Sequence, residues 1–247
     1  MGDIARVAAL WVLFSAAGEA AISRAVVRWP AVASAQGAIT ADAFVFLLRV
    51  GWVAFVLVAL VVVYSAARFR VPPDDLTDSP RQYRSHRVFA GAWVLLSIGL
   101  IVLFVITPGL SGLGSLWRLD VAAARDPATL EVDVRARQWD WSFSYPAYRV
   151  YGQDTLVLPV GTPVKLVLTS ADVIHSFWVP AFGLKKDVIP GETRILYVTP
   201  TRVISTDDTP VVRVQCAELC GTAHATMRAV VQVVPRADFE KWIAHHR

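Results

Sequence analysis

Between Cys216 and Met227 the chain reads CAELCGTAHATM, placing two thiols, one imidazole and one thioether at offsets of 0, 4, 8 and 11. Thiolate and thioether sulfur favour copper in its lower oxidation state, whereas imidazole also suits the higher one, so the mixture fits a metal that alternates between the two. No other cysteine occurs in the 247 residues. Taken alone, a CxxxC pair reads as a small-loop disulfide, a redox pair or two metal thiolates, and an exported pair is commonly a disulfide. His224, Met227 and His175 favour metal, because a disulfide has no use for soft ligands beside it. His175, in ADVIHSFWVP, lies about forty residues upstream. It is expected at the end of a strand, on a loop that folds back beside Cys216.

One cysteine, two histidines and a methionine would describe a mononuclear blue-copper site. The second cysteine changes this, since two thiolates can bridge two metals, leaving one histidine for each and weaker axial donation from a methionine sulfur and a backbone carbonyl. A centre that spreads one electron over two metals and two sulfurs changes its bond lengths little on reduction. Such a site is suited to electron transfer rather than to making bonds.

The elements that must hold these residues are strands. From Thr129 the sequence TLEVDVRARQWDWSFSY alternates, with Leu130, Val132, Val134 and Ala136 on one side and Glu131, Asp133, Arg135 and Arg137 on the other. TPVKLVLTS (162–170), TRILYV (193–198), PVVRVQC (210–216) and MRAVVQVV (227–234) behave similarly between turn residues. Several short strands predict a small β-sandwich or Greek-key barrel, and DFEKWIAHH predicts a short closing helix. In the alternating run Trp139, Trp141, Phe143 and Tyr145 share a face; Trp139 is kept as a functional candidate and the other three read as structural.

Upstream the texture differs. Hydrophobic residues make up 55% of the chain and charged ones 18%, with a mean hydropathy of +0.49, which points to segments in lipid. Val50 to Ala67, extended outward by Ala43 to Leu48 past Arg49, and Val88 to Thr107 each approach the ~20 residues a bilayer requires. Pro108-Gly109 stops the second run. Arg68, Arg70, Arg81, Arg84 and Arg87 assign the connector between them to the cytoplasmic side, which leaves everything after Thr107 outside. The first 35 residues admit two readings: a signal peptide ending at Ala33-Ser34-Ala35, or a retained helix from about Ile4 to Ile22, which is favoured. The expected organisation is therefore 1–35 N-terminal helix or signal peptide, 36–107 helical hairpin, 108–128 linker, and 129–247 exported β-domain. A net charge of +4 is small for this length and makes nucleic acid a poor partner. His245 and His246 read as solvated surface, and His86 as an interfacial residue beside arginines.

Together, CAELCGTAHATM, IHSFWVP, DVIPG and QWDWSFSY resemble subunit II of the haem-copper cytochrome c oxidases, over residues from about 43 to 247. The resemblance implies a membrane-anchored α plus all-β chain, two or three transmembrane helices followed by a cupredoxin-like Greek-key β-sandwich. It implies that His175, Cys216, Cys220, His224 and Met227 hold the binuclear copper centre CuA, completed by the main-chain carbonyl of Glu218. The Glu218 side chain then faces the junction with the catalytic subunit, where a magnesium ion is shared, and Asp187 lies near that junction. Lys185 and Lys186 either pair with acidic groups there or form a solvated turn. Trp139 matches the tryptophan through which the family accepts electrons. Implied partners are the haem-bearing subunit I, subunit III, and cytochrome c or another small donor. Oxygen is reduced to water in the partner subunit, coupled to proton translocation. The implied setting is a bacterial or archaeal plasma membrane with the copper domain on the outer side.

Two departures matter. The family often carries a proton-admitting glutamate where this chain has Ala90, and the usual residues before the first ligand cysteine are replaced by DDTPVVRVQC. An alanine carries no proton, so that route must differ. No fused cytochrome c domain follows the β-domain, so the donor is expected to be a separate protein. Rival readings are the copper subunit of a nitric oxide reductase and a membrane-anchored copper-binding or delivery protein; a quinol oxidase subunit would lack the ligands.

Overall fold

The apolar runs form three helices, α1 (Gly2–Val27), α2 (Ala35–Arg68) and α3 (Arg87–Phe104). Each contains a stretch long and apolar enough to cross a bilayer. The structure, a computed structural model, describes residues 2–27, 32–70 and 87–247. Of the connector whose arginines predict a cytoplasmic side, Arg81, Arg84 and His86 lie outside the described residues.

Two compact units divide the chain, residues 1–29 with 43–111 and residues 30–42 with 112–247. In the first, α1 packs antiparallel on α2. The Tyr64 hydroxyl donates to Asp3 at 2.6 Å and Arg68 approaches the same carboxylate at 3.7 Å, while Arg49 lies 3.6 Å from Glu19. Gly18 leaves the space that the Trp52 indole fills, and Trp11 Nε1 donates to the Val53 carbonyl at 2.9 Å. The N-terminal stretch is thus a helix with specific partners in the anchor.

After Phe104 the helical path is interrupted at Thr107, whose φ of -134° and ψ of 117° are extended, and beyond Pro108 a separate helix follows, α4 (Ser111–Arg125). The glycine-rich segment expected to be a linker is therefore mostly helical. Gly112 and Gly114 each cost about 1 kcal/mol of helix propensity, which the leucines, alanines and arginines around them outweigh. The Thr129 hydroxyl caps the end by donating to the Ala123 carbonyl at 2.6 Å.

The second unit is a two-sheet sandwich, the cupredoxin-like arrangement expected. Its strands are β1 (Leu130–Arg137), β2 (Asp140–Tyr145), β3 (Val150–Gln153), β4 (Thr155–Pro159), β5 (Val164–Ser170) and β6 (His175–Val179). They continue as β7 (Leu184–Val188), β8 (Arg194–Val198), β9 (Ile204–Ser205), β10 (Arg213–Cys216) and β11 (Arg228–Val234), followed by α5 (Arg236–His246). One sheet runs β3-β2-β1-β5-β8 and the other β4-β11-β10-β6-β7, with β9 alongside β11. The β1–β5 and β11–β4 pairings are parallel.

Alternation sets the inner faces. Leu130, Val132, Val134 and Ala136 of β1 are buried, as are Trp141, Phe143 and Tyr145 of β2, so the aromatic stripe is core everywhere except at Trp139. Tyr145 ties the two sheets, its hydroxyl donating to the Val157 carbonyl at 2.9 Å and accepting from the Val157 amide at 2.8 Å. Segment 33–37 joins this unit rather than the helical one. Ala33 donates to Ala181 and accepts from Thr201, Ala35 donates to Thr199, and Gln36 accepts from the Thr199 amide. Gly37 is needed here, because a Cβ on it would stand 2.7 Å from the Phe182 carbonyl oxygen.

Candidate metal centre

His175 opens β6 rather than closing the preceding strand, and the ladder explains how it reaches Cys216. β6 pairs antiparallel with β10, setting Phe177 opposite Cys216, and the Ala217 amide donates to the Ser176 carbonyl at 2.9 Å. The first residue of one strand thus adjoins the last of the other. The remaining ligand candidates lie on the β10–β11 loop, closed when the Cys216 amide donates to the Met227 carbonyl at 3.1 Å and shaped by a 3₁₀ turn over His224–Thr226.

The structure brings these side chains into a row. His175 Nδ1 lies 3.8 Å from Cys216 Sγ, Cys216 Sγ lies 3.7 Å from Cys220 Sγ, and Cys220 Sγ lies 3.5 Å from His224 Nδ1. Cys220 Sγ is 3.8 Å from Met227 Sδ, and Cys216 Sγ is 3.2 Å from the Glu218 carbonyl oxygen. Both thiols are free, their separation far beyond the ~2.05 Å of a disulfide. Donor atoms about 2.0–2.3 Å from one tetrahedral metal are separated by about 3.3–3.8 Å, so these spacings fit ligands that share metal ions. One donor atom each from His175, Cys216 and Cys220 lies within 4.8 Å of the others. His175, Cys216, Cys220 and Met227 are buried, whereas His224 is half-buried.

Burial, followed by the hydrogen bond and charge of Cys216, pushes the Cys220 thiol up to about 11. A metal must therefore displace a proton there to gain a thiolate.

Two residues around the cup were not singled out by motif or spacing. Asp172 Oδ2 accepts the Gln138 amide at 2.6 Å, and its Oδ1 accepts the Val173 amide at 2.7 Å and contacts His175 Nε2 at 2.8 Å. Partial desolvation raises this carboxyl, but the bonds from Gln138, His175 and Val173 more than offset that and hold it at about 2. The Gln138 side-chain amide in turn donates to the Cys220 carbonyl at 2.7 Å. Trp139, 39% exposed, donates from Nε1 to the same carbonyl at 3.3 Å. Asp187 stands apart on β7, accepting from the Ser176 hydroxyl at 2.8 Å, and Ala90 is an exposed residue of α3.

A membrane-anchored β-sandwich with a thiol, imidazole and thioether cup between two strand ends is the class that fold and site define. Residues 149–234 match the family described as cytochrome C oxidase subunit II, periplasmic domain. The chain is 32% identical over 185 residues to the alternative cytochrome c oxidase subunit 2 of Bradyrhizobium diazoefficiens, covering 63% of this chain and 62% of that one. It is 44% identical over 113 residues to cytochrome c oxidase subunit 2 of Thermostichus vulcanus, covering 46% of this chain and 32% of that one. It therefore spans less than two thirds of the length of either relative. Among solved structures, the periplasmic domain of cytochrome oxidase subunit II from Bradyrhizobium japonicum matches 49% of this chain and 95% of its own length, at 29% identity and a TM-score of 0.44. The chain thus contains, behind three helices long and apolar enough to cross a membrane, a segment that matches the periplasmic domain of cytochrome c oxidase subunit II.

Proposed function

We propose that this chain is the electron-accepting copper subunit of a respiratory cytochrome c oxidase, anchored in a bacterial or archaeal plasma membrane with its β-domain outside. The observation that carries this reading is the order of donor atoms, imidazole, thiol, thiol, imidazole, with each neighbour 3.5–3.8 Å from the next. A single metal would leave one end of that row unused, whereas two metals would be held by His175 and His224, one imidazole for each, with the thiols of Cys216 and Cys220 serving both. Met227 Sδ and the Glu218 carbonyl are then the weaker donors. When bound, such a copper pair supplies a one-electron store whose geometry changes little on reduction.

The chain's own residues do the rest. β6 and β10 hold the ligand loops in register, so the cup keeps its shape in both redox states. Trp139 presents an indole to solvent and touches the Cys220 carbonyl, which gives a donor protein such as cytochrome c an apolar landing point one contact from the centre. The partners would be a catalytic subunit I and a subunit III, and haem in subunit I would supply the reduction of oxygen to water coupled to proton movement. Glu218, exposed on the copper loop, is the residue we assign to a magnesium site at that junction.

The test is copper content and electron paramagnetic resonance of the full chain, purified in detergent and loaded with copper. We expect two coppers per chain and a mixed-valence signal in which the unpaired electron couples equally to both nuclei. A single copper, or no copper with Cys216 and Cys220 joined as a disulfide, would sink the proposal.

A further inference from the structure

The two histidines of the cup are not equivalent. His175 is wholly buried, with one ring nitrogen toward Cys216 and the other 2.8 Å from Asp172. His224 is half-buried, and among the described residues its ring has a polar contact only with Cys220. A neutral imidazole carries a single N–H, and an ionised carboxylate accepts but cannot donate. The proton of His175 therefore belongs on Nε2, facing Asp172, and the Nδ1 lone pair faces the thiols.

We propose that Asp172 is a positioning residue that sets the tautomer and donor strength of His175 and, through Gln138, clasps the Trp139 turn to the same centre. This rests on reading His175 as a copper ligand. Asp172 is placed for both tasks. Its Oδ1 meets His175 while its Oδ2 accepts the backbone amide of Gln138 at 2.6 Å. The side chain of Gln138 crosses to the other ligand loop and donates to the Cys220 carbonyl at 2.7 Å. One residue thus joins the loop of His175 to the loop of the cysteines, and its neighbour is Trp139.

A carboxylate behind an imidazole raises its basicity and fixes its orientation, and loss of such a partner typically weakens metal binding by about 10–100-fold. A stronger imidazole donor stabilises oxidised copper, so Asp172 lowers the reduction potential and makes the His175 side of the pair electronically distinct from the His224 side.

The experiment compares Asp172→Asn with the unaltered full chain, both copper-loaded in detergent. Asp140→Asn serves as a control that removes a nearby surface carboxylate without touching His175. In Asp172→Asn we expect copper competed away by a chelator about 10–100-fold more readily, a raised potential, and a change in one of the two imidazole nitrogen couplings in pulsed resonance. Asp140→Asn should leave all three where they were. Identical couplings and potential in Asp172→Asn, or the same shift in Asp140→Asn, would overturn the proposal. Should Asp172→Asn fail to fold, Asp172→Glu decides it, because a longer carboxylate keeps the acceptor and moves it: a change confined to one imidazole supports the assignment, and no change rejects it. His175→Ala separates the underlying reading. If both couplings survive that substitution, His175 is not a ligand, and the error lies there rather than with Asp172.

Discussion

The indole of Trp139 lies against the backbone of the cysteine loop because residue 221 is glycine. A Cβ on Gly221 would stand 3.2 Å from Trp139 Cζ2 and 2.9 Å from Gln138 Nε2, and its φ of +118° is one that L side chains rarely adopt. Two substitutions therefore address one contact. Trp139→Ala removes the exposed ring and should slow oxidation of reduced cytochrome c in the assembled oxidase while leaving the copper spectrum intact. Gly221→Ala forces the ring and Gln138 aside at a strain cost of about 1–3 kcal/mol, so it should slow the same step and disturb the spectrum as well. Rapid-mixing kinetics check both; unchanged rates in Trp139→Ala would remove the acceptance point. At this scale the sequence was most readable where the ligand candidates share a loop, since Cys216, Cys220, His224 and Met227 announce themselves by spacing. Asp172 and Gln138 did not, because their roles come from loops that meet only once β1, β6 and β10 are folded together.

At the scale of elements, Ser34 begins α2 and also grips the sandwich. Its hydroxyl accepts the Gly37 amide at 2.8 Å and donates to the Phe182 carbonyl at 2.7 Å, both buried. Ser34→Ala loses a helix cap and leaves a carbonyl unsatisfied, a cost of about 1–3 kcal/mol. Thermal unfolding of the β-domain should reveal it as a lowered midpoint; an unchanged midpoint would mean that the grip is incidental. Strands with one wet face were legible. β1 follows its sequence alternation residue for residue, and β5, β8 and β11 begin within two residues of the alternating runs. β4 and β6 were not seen, since TLVLP and HSFWV are buried on nearly every residue and show no alternation to detect. The α4 helix was hidden by its glycines, and the docking of segment 33–37 by the distance in sequence between Ala33 and its partners at 181 and 201.

For the whole molecule, retention of the first helix is the reading that the surroundings of Ala33-Ser34-Ala35 favour. Ala33 and Ser34 lie before the bond that a signal peptidase would cut, Gln36 after it, and all three are bonded into the β-domain. Upstream, Asp3, Trp11 and Glu19 have partners on α2. We therefore expect the purified protein to retain α1, and intact-mass measurement to show it; a chain starting at Gln36 would refute this. The parallel pairing of β11 with β4 has a further consequence, one of timing. β11 follows both β4 and β10 in the chain, yet it lies between them within its sheet, and it anchors the far side of the loop that carries the cysteines. Until that strand has slotted into place, the Met227 end of the loop has nothing to close against. The cup is thus completed only once β11 has paired with both of its neighbours, so a metal would be taken up by a sandwich whose strands are already in place.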